Sequence, residues 1–300
     1  MERRISRLRP QRFFLILFLL GIVSYRLAIP PVVRAEYQSI DELAQAYSDE
    51  SCKGCHARIH GEWQSSSHSK SVINFLGIMR DYLTTGLQEW KKPVDREQLM
   101  RCMTCHAPHL SEASEPLMRE VARLIVAAFE EKDEVRKSEA KKALTKLNVN
   151  CIICHNTKTA LEQNLKGKPK KGVYYGPSGK PSPVHGTQKS NAIRSSLFCG
   201  QCHRLITHTD GEIVFCSSLY ESYQDSYRSG GGTETCQDCH MRAKARGHRM
   251  PGSHELSMLK DGIRLDVNVL GIRVQPEKWI PSVIVNVGLT NEAGHRTPDG

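Results

Sequence analysis

Ten of the eleven cysteines fall in five copies of one pentapeptide, Cys-x-x-Cys-His. The copies are Cys52-Lys53-Gly54-Cys55-His56, Cys102-Met103-Thr104-Cys105-His106, Cys151-Ile152-Ile153-Cys154-His155, Cys199-Gly200-Gln201-Cys202-His203 and Cys236-Gln237-Asp238-Cys239-His240. Two thiols about one helical turn apart can each add to a vinyl group of a single porphyrin. The histidine that follows is then set beneath the iron as its proximal ligand. The repeat therefore predicts five covalently bound haem c groups, with thioethers on Cys52, Cys55, Cys102, Cys105, Cys151, Cys154, Cys199, Cys202, Cys236 and Cys239. Its proximal iron ligands are His56, His106, His155, His203 and His240. A thioredoxin-like redox pair needs no following histidine, and a zinc ribbon has no reason to place one after every second cysteine. Cys216, outside the repeat, reads as a small buried hydrophobe.

The amino terminus sets the compartment. Arg3, Arg4, Arg7, Arg9 and Arg12 precede an apolar run from Phe13 to Val23, too short to cross a bilayer, which takes about 20 residues. This is the layout of a secretory signal over residues 1–35, with Val33-Arg34-Ala35 at the cleavage position. It implies a periplasmic protein, with an extracellular or membrane-anchored placement as the alternative and membrane contact only if that segment is retained. The formal charge of +10 would suit nucleic acid, but the first 35 residues hold seven basic residues against one acidic. The remaining excess faces haem propionates, and no nucleic-acid partner is expected.

The elements that carry the motifs must be mainly α, with long irregular connections around stacked haems. Aromatic content is only 6%, low for a core built from side chains alone, so porphyrins supply apolar surface. One helical stretch, roughly Glu115 to Leu147, keeps Leu117, Val121, Leu124, Ile125 and Ala128 on a 3.6-residue period and breaks near Lys132. Gly167 to Pro183 reads as a loop. Met79, Met100, Met103, Met241 and Met250 read as core filler rather than axial ligands. From Ile263 the period becomes two. Ile263, Leu265, Val267 and Val269, then Val283, Val285, Val287 and Leu289, predict two strands with one buried face. The expected organisation is a leader (1–35), a pentahaem domain (36–260) and the truncated start of a C-terminal β-sandwich-like domain (261–300).

Residues Cys52 to His68, with Trp63, Ser66 and His68 in a Trp-x-x-Ser-x-His pattern, begin a series of further matches. It continues through Tyr175-Gly176-Pro177, His185, Tyr220 to Tyr227, His248-Arg249-Met250-Pro251-Gly252 and Gly294-His295-Arg296-Thr297-Pro298-Asp299-Gly300. With these segments the chain resembles the multihaem c-type cytochromes related to the nitrifier tetrahaem cytochrome and hydroxylamine oxidoreductase. The last segment usually reads Pro-Thr-Gly, a departure here. The resemblance implies that His68, His185, His248 and His295 are distal iron ligands, each reaching a haem distant in sequence, with His254 as the fifth candidate. His60, one turn after His56, would serve a propionate or solvent, and His109 lies too close to His106 to wrap round the same haem. His208 reads as a turn residue.

The favoured function is an exported pentahaem cytochrome that moves electrons through mostly bis-histidine haems in a respiratory chain. Its redox partners would be a quinol-oxidising membrane cytochrome and a terminal reductase or outer-membrane conduit. Two alternatives stand beside it. One is a reductase or oxidase of a small nitrogen or sulfur compound at an open haem, with that of Cys102 to His106 the candidate. The other is a subunit of an extracellular haem conduit. Related reductases mark the catalytic haem with a lysine in place of the motif histidine, and no such motif occurs here; no catalytic residue is assigned.

Overall fold

The computed structural model describes residues 37–89, 91–156, 172–207, 213–214, 217–273 and 281–299. The leader over 1–35, His208, Cys216 and the first part of the 167–183 loop lie outside them. Among the described residues twelve α-helices run in chain order: α1 Ile40–Ala46, α2 Glu50–Lys53, α3 Ala57–Gln64, α4 Leu76–Asp81, α5 Leu87–Glu89, α6 Arg96–His106, α7 Glu115–Glu130, α8 Glu134–Leu144, α9 Cys151–His155, α10 Ser196–Gly200, α11 Leu219–Tyr223 and α12 Leu256–Gly262. Short 3-10 and π turns join many of them.

The periodic stretch forms α7 and α8. Ser114 caps α7 by accepting from the Leu117 amide, and Pro116 sits in the first turn, where its missing N–H costs nothing. The expected break falls between Glu130 and Glu134, because Asp133 accepts from the amides of Val135 and Arg136 and so starts a new helix. The buried face of α7 (Leu117, Met118, Val121, Ala122, Ile125, Ala128) packs on α4, α6 and α8. Leu76, Met79, Leu99, Met103 and Leu144 complete that core. The core cluster spans Ile40 to Ile153. Beyond it, among the described residues, only Tyr175 and Tyr223 are buried hydrophobics, although two of the five motifs lie there. Packed side chains thus build the first half and leave the second to another source of apolar surface.

Three small sheets complete the fold among the described residues. Strands β1 (Val173–Gly176) and β2 (Gly186–Lys189) pair in parallel, with Tyr175 opposite Gln188. Strands β3 (Ile206–Thr207) and β4 (Ile213–Val214) form a short antiparallel pair. Strands β5 (Ile263–Arg273) and β6 (Pro281–Asn291) form a long antiparallel hairpin with Leu265 opposite Leu289 and Val267 opposite Val287. The two-residue period does make strands, but the expected buried face is not covered. Leu289 is 70% exposed and Val269 62%, because the strands pair only with each other and no other described element packs over their aliphatic face.

Candidate haem-binding site

Each motif is set at a helix end or a tight turn. Asn150 caps α9, its side chain accepting from the amides of Ile152 and Ile153, so Cys151, Cys154 and His155 share one helical turn. The second motif forms the last turn of α6. The fourth begins in α10, and the fifth enters a π turn, Asp238–Arg242, held by reciprocal Thr235–Asp238 hydrogen bonds. Cysteine is among the most often buried residue types, yet none of these ten is fully buried. Two of them, Cys55 and Cys239, are exposed.

Among the described residues, four of the five motif histidines face a second histidine. Ring centres are 6.4 Å apart for His56 and His185, 6.1 Å for His203 and His68, 6.2 Å for His155 and His248, and 6.2 Å for His240 and His295. Histidines that pack directly on an aromatic neighbour stand closer: 4.7 Å for His106 and Phe75, 4.9 Å for His185 and Tyr174, 5.0 Å for His109 and Tyr47, 5.3 Å for His60 and Trp63. An imidazole–metal–imidazole axis, with metal–nitrogen bonds of about 2 Å, sets ring centres roughly 6 Å apart. The four gaps therefore fit one iron each. Paired thiols beside each motif histidine supply the donors a covalent haem c requires.

Backbone carbonyls orient the rings. A carbonyl oxygen can only accept, so a ring nitrogen hydrogen-bonded to it carries the proton and leaves Nε2 with the lone pair. His155 Nδ1 donates to Tyr175 O at 2.8 Å, His240 to Pro251 O at 2.8 Å, and His106 to Ser71 O at 2.6 Å. The facing residues do the same locally: His185 Nδ1 to Gly186 O at 3.1 Å and His295 Nδ1 to Arg296 O at 2.8 Å. Burial is the chief cause that lowers the imidazoles of His68, His106, His155, His240 and His248, and it brings His203 down to about 4. Neutral imidazole, the state that binds iron, is thereby favoured near neutral pH.

Chain segments remote in sequence bring the pairs together. The β1–β2 ladder puts Tyr175 O on His155 and His185 opposite His56, so one small sheet serves two motifs. The turn around His68 is locked between motifs: His68 O accepts from the Val149 amide at 3.1 Å, and Ser71 Oγ donates to His106 O at 2.6 Å. His295 sits in a loop whose Asp299 accepts from Ser218 N at 2.9 Å and Ser218 Oγ at 2.7 Å, while Arg296 N donates to Ser222 Oγ. His248 receives its hold from Glu62, whose Oε2 accepts the His248 amide at 3.0 Å. Sequence reading singled out neither Glu62, Asp299 nor Ser218; each is an ordinary polar residue whose partner lies far along the chain.

The other histidines are placed differently. Among the described residues His254 is exposed and makes no ring contact with a motif histidine. Among the described residues His106 has a ring contact with Phe75 and none with another histidine. His60 is buried 3.8 Å from Asp49 Oδ2, and His109 is buried against Tyr47, its burial lowering it to about 4. The motifs also touch one another. Cys105 Sγ lies 3.9 Å from Cys202 O, and the thiols of Cys52 and Cys151, and of Cys199 and Cys236, are near enough to shift one another. Cys154 lies near enough to Cys199 and Cys202 to raise both thiols electrostatically.

A fold with five thiol pairs, each followed by an imidazole, whose described residues build apolar core mainly around the first half, is that of a multihaem c-type cytochrome. A family model described as outer membrane cytochrome MtrC/MtrF-like, domains II/IV, matches residues 84–253, the span holding the second to fifth motifs. The chain belongs to that family. No curated protein and no solved structure matches it. The match supports the multihaem class rather than the narrower kinship with the nitrifier tetrahaem cytochrome or hydroxylamine oxidoreductase. No helix among the described residues is long and apolar enough to cross a membrane.

Proposed function

We propose that this chain is an exported pentahaem electron-transfer cytochrome with four bis-histidine irons and one open one. The observation that carries this is the set of four facing histidine pairs at 6.1–6.4 Å. Bound haem supplies one-electron chemistry. The protein supplies the rest: thioether sites on the five cysteine pairs, proximal ligands His56, His106, His155, His203 and His240, and distal ligands His185, His68, His248 and His295. These pair His56 with His185, His203 with His68, His155 with His248 and His240 with His295. His254, exposed and without a motif partner, takes no iron in this reading. Two imidazoles on one iron would keep the coordination alike in both oxidation states, which suits a carrier and keeps potentials below those of histidine/methionine sites.

The cysteine contacts order the motifs. The first lies near the third, the third near the fourth, and the fourth near both the second and the fifth. The fourth is therefore the branch point, with the first, second and fifth as ends. The family description favours an outer-membrane or extracellular conduit as the setting, with other redox proteins as donor and acceptor. The motif likeness to the nitrifier cytochromes and the leader-like amino terminus support export but leave a periplasmic shuttle as an alternative. A second reading, reduction or oxidation of a small nitrogen compound, is favoured by one observation: His106 lacks a histidine opposite it among the described residues.

Magnetic circular dichroism of the oxidised holoprotein tests the assignment. Four low-spin irons and one high-spin iron are expected, and five low-spin irons would overturn it. Nitrite or hydroxylamine that shifts the high-spin signal and is turned over would favour the enzyme; binding without turnover would favour the carrier.

A further inference from the structure

The loop carrying His248 is wound in a way that does not hold itself. Lys244, Ala245, Gly247 and Met250 all have positive φ, 53°, 51°, 58° and 43°. Only the glycine adopts such a conformation without steric cost. Strained backbone of this kind persists where surrounding contacts impose it. Two contacts do so here. Buried Arg246 donates to Cys239 O at 2.6 Å and pairs with Asp261, which ties the loop to the fifth motif. On the other side Glu62, on α3 just after the first motif, accepts the amide of His248 itself. A Cβ at Gly247 would collide with the Glu62 carboxylate, so the loop's closest approach to α3 is built around that group. The neighbouring Trp63 donates its Nε1 to Val149 O at 2.9 Å, beside the Asn150 cap of α9. Two consecutive residues of α3 thus hold the helix bearing His155 and the loop bearing His248.

We infer that Glu62 is a positioning residue that holds His248 over the third haem, through its hydrogen bond to the His248 amide. The inference rests on the reading of His248 as the distal ligand of that haem. Arg58 also pairs with Glu62, but its side chain is 76% exposed, and it meets the other carboxylate oxygen, Oε1. The ion pair is therefore separable from the hydrogen bond.

The test is the rate of cyanide binding to the oxidised holoprotein, which reports how often a distal histidine leaves its iron. In the parent, the open haem binds at once and the ligated haems slowly. His248→Ala should move one haem's amplitude into the fast phase. Glu62→Ala should speed that same amplitude by about ten- to hundredfold, the range expected for losing a hydrogen bond to a charged group. Glu62→Gln, which retains an amide acceptor, should restore most of the parent rate, and Arg58→Ala should leave it unchanged. If His248→Ala opens a haem but Glu62→Ala binds cyanide as the parent does, the positioning role is wrong and the ligand assignment stands. Arg58→Ala matching Glu62→Ala would also overturn the role, since the ion pair would then be the cause. If His248→Ala leaves the kinetics unchanged, both fall.

Discussion

Gly200 lies inside the fourth motif, at the end of α10, where most residue types would suit a helix. An added Cβ would stand 2.5 Å from Tyr220 Cδ2, 2.7 Å from Cγ and 3.2 Å from Cβ. All three are below ordinary contact. Turning the ring cannot relieve the contact with Tyr220 Cβ, which moves only with the backbone, and the Tyr220 amide donates to His203 O at 2.8 Å and so ties that backbone to the motif. Two opposing terms then set the effect of Gly200→Ala. Helix propensity alone would stabilise by about 0.5–1 kcal/mol, and overpacking costs about 1–3 kcal/mol. The steric term wins, so a net loss of roughly 0.5–2 kcal/mol is expected. In a Tyr220→Ala background the obstruction is gone, and Gly200→Ala should become stabilising by up to about 1 kcal/mol. Denaturant midpoints of the four holoproteins, followed by far-ultraviolet circular dichroism, complete the double-mutant cycle. The reasoning fails if the alanine is neutral or stabilising in the parent, or has the same effect in both backgrounds.

Asp299→Ala removes both acceptors of Ser218; the Ser218 amide should exchange its hydrogen about tenfold faster or more in a native-state exchange experiment. Asp238 is held below the ordinary carboxylate range chiefly by the Thr235 amide, with the Thr235 hydroxyl and Arg242 adding to it. A depressed carboxylate stabilises above its unfolded value of 3.8 and loses that contribution as pH falls through the folded value. Asp238→Asn should therefore cost about 1 kcal/mol at neutral pH, as capping-box losses do, and flatten the acid limb of an unfolding profile below pH 4. A parallel downward offset at every pH would refute the linkage.

Local pattern carried much of this. The pentapeptide needs only five consecutive residues to state its chemistry. The helical period of Leu117, Val121 and Ile125 was legible because one buried stripe repeats every turn, and the break near Lys132 showed as a charged run. The β5–β6 strands were legible for the same reason, but not the fate of their aliphatic face. Period alone reports that one side differs from the other, while cover depends on what packs there. The histidine excess was visible, and His254 entered only as a fifth candidate behind the four that lie in the matched segments. Chain order could not show that the loop of His295 would be clasped by Ser218 and Ser222.

What the amino-acid order determined unaided is the covalent inventory: thiol pairs, the imidazole after each, and helices whose faces repeat within a few turns. Only the tertiary structure decided which imidazole faces which. His56 meets His185 because a parallel ladder of four residue pairs closes a long connection, and His248 is set opposite His155 because Glu62 on another helix grips its amide. Such contacts join residues whose separation along the chain carries no periodic signal, so they exist only once the backbone has closed on itself.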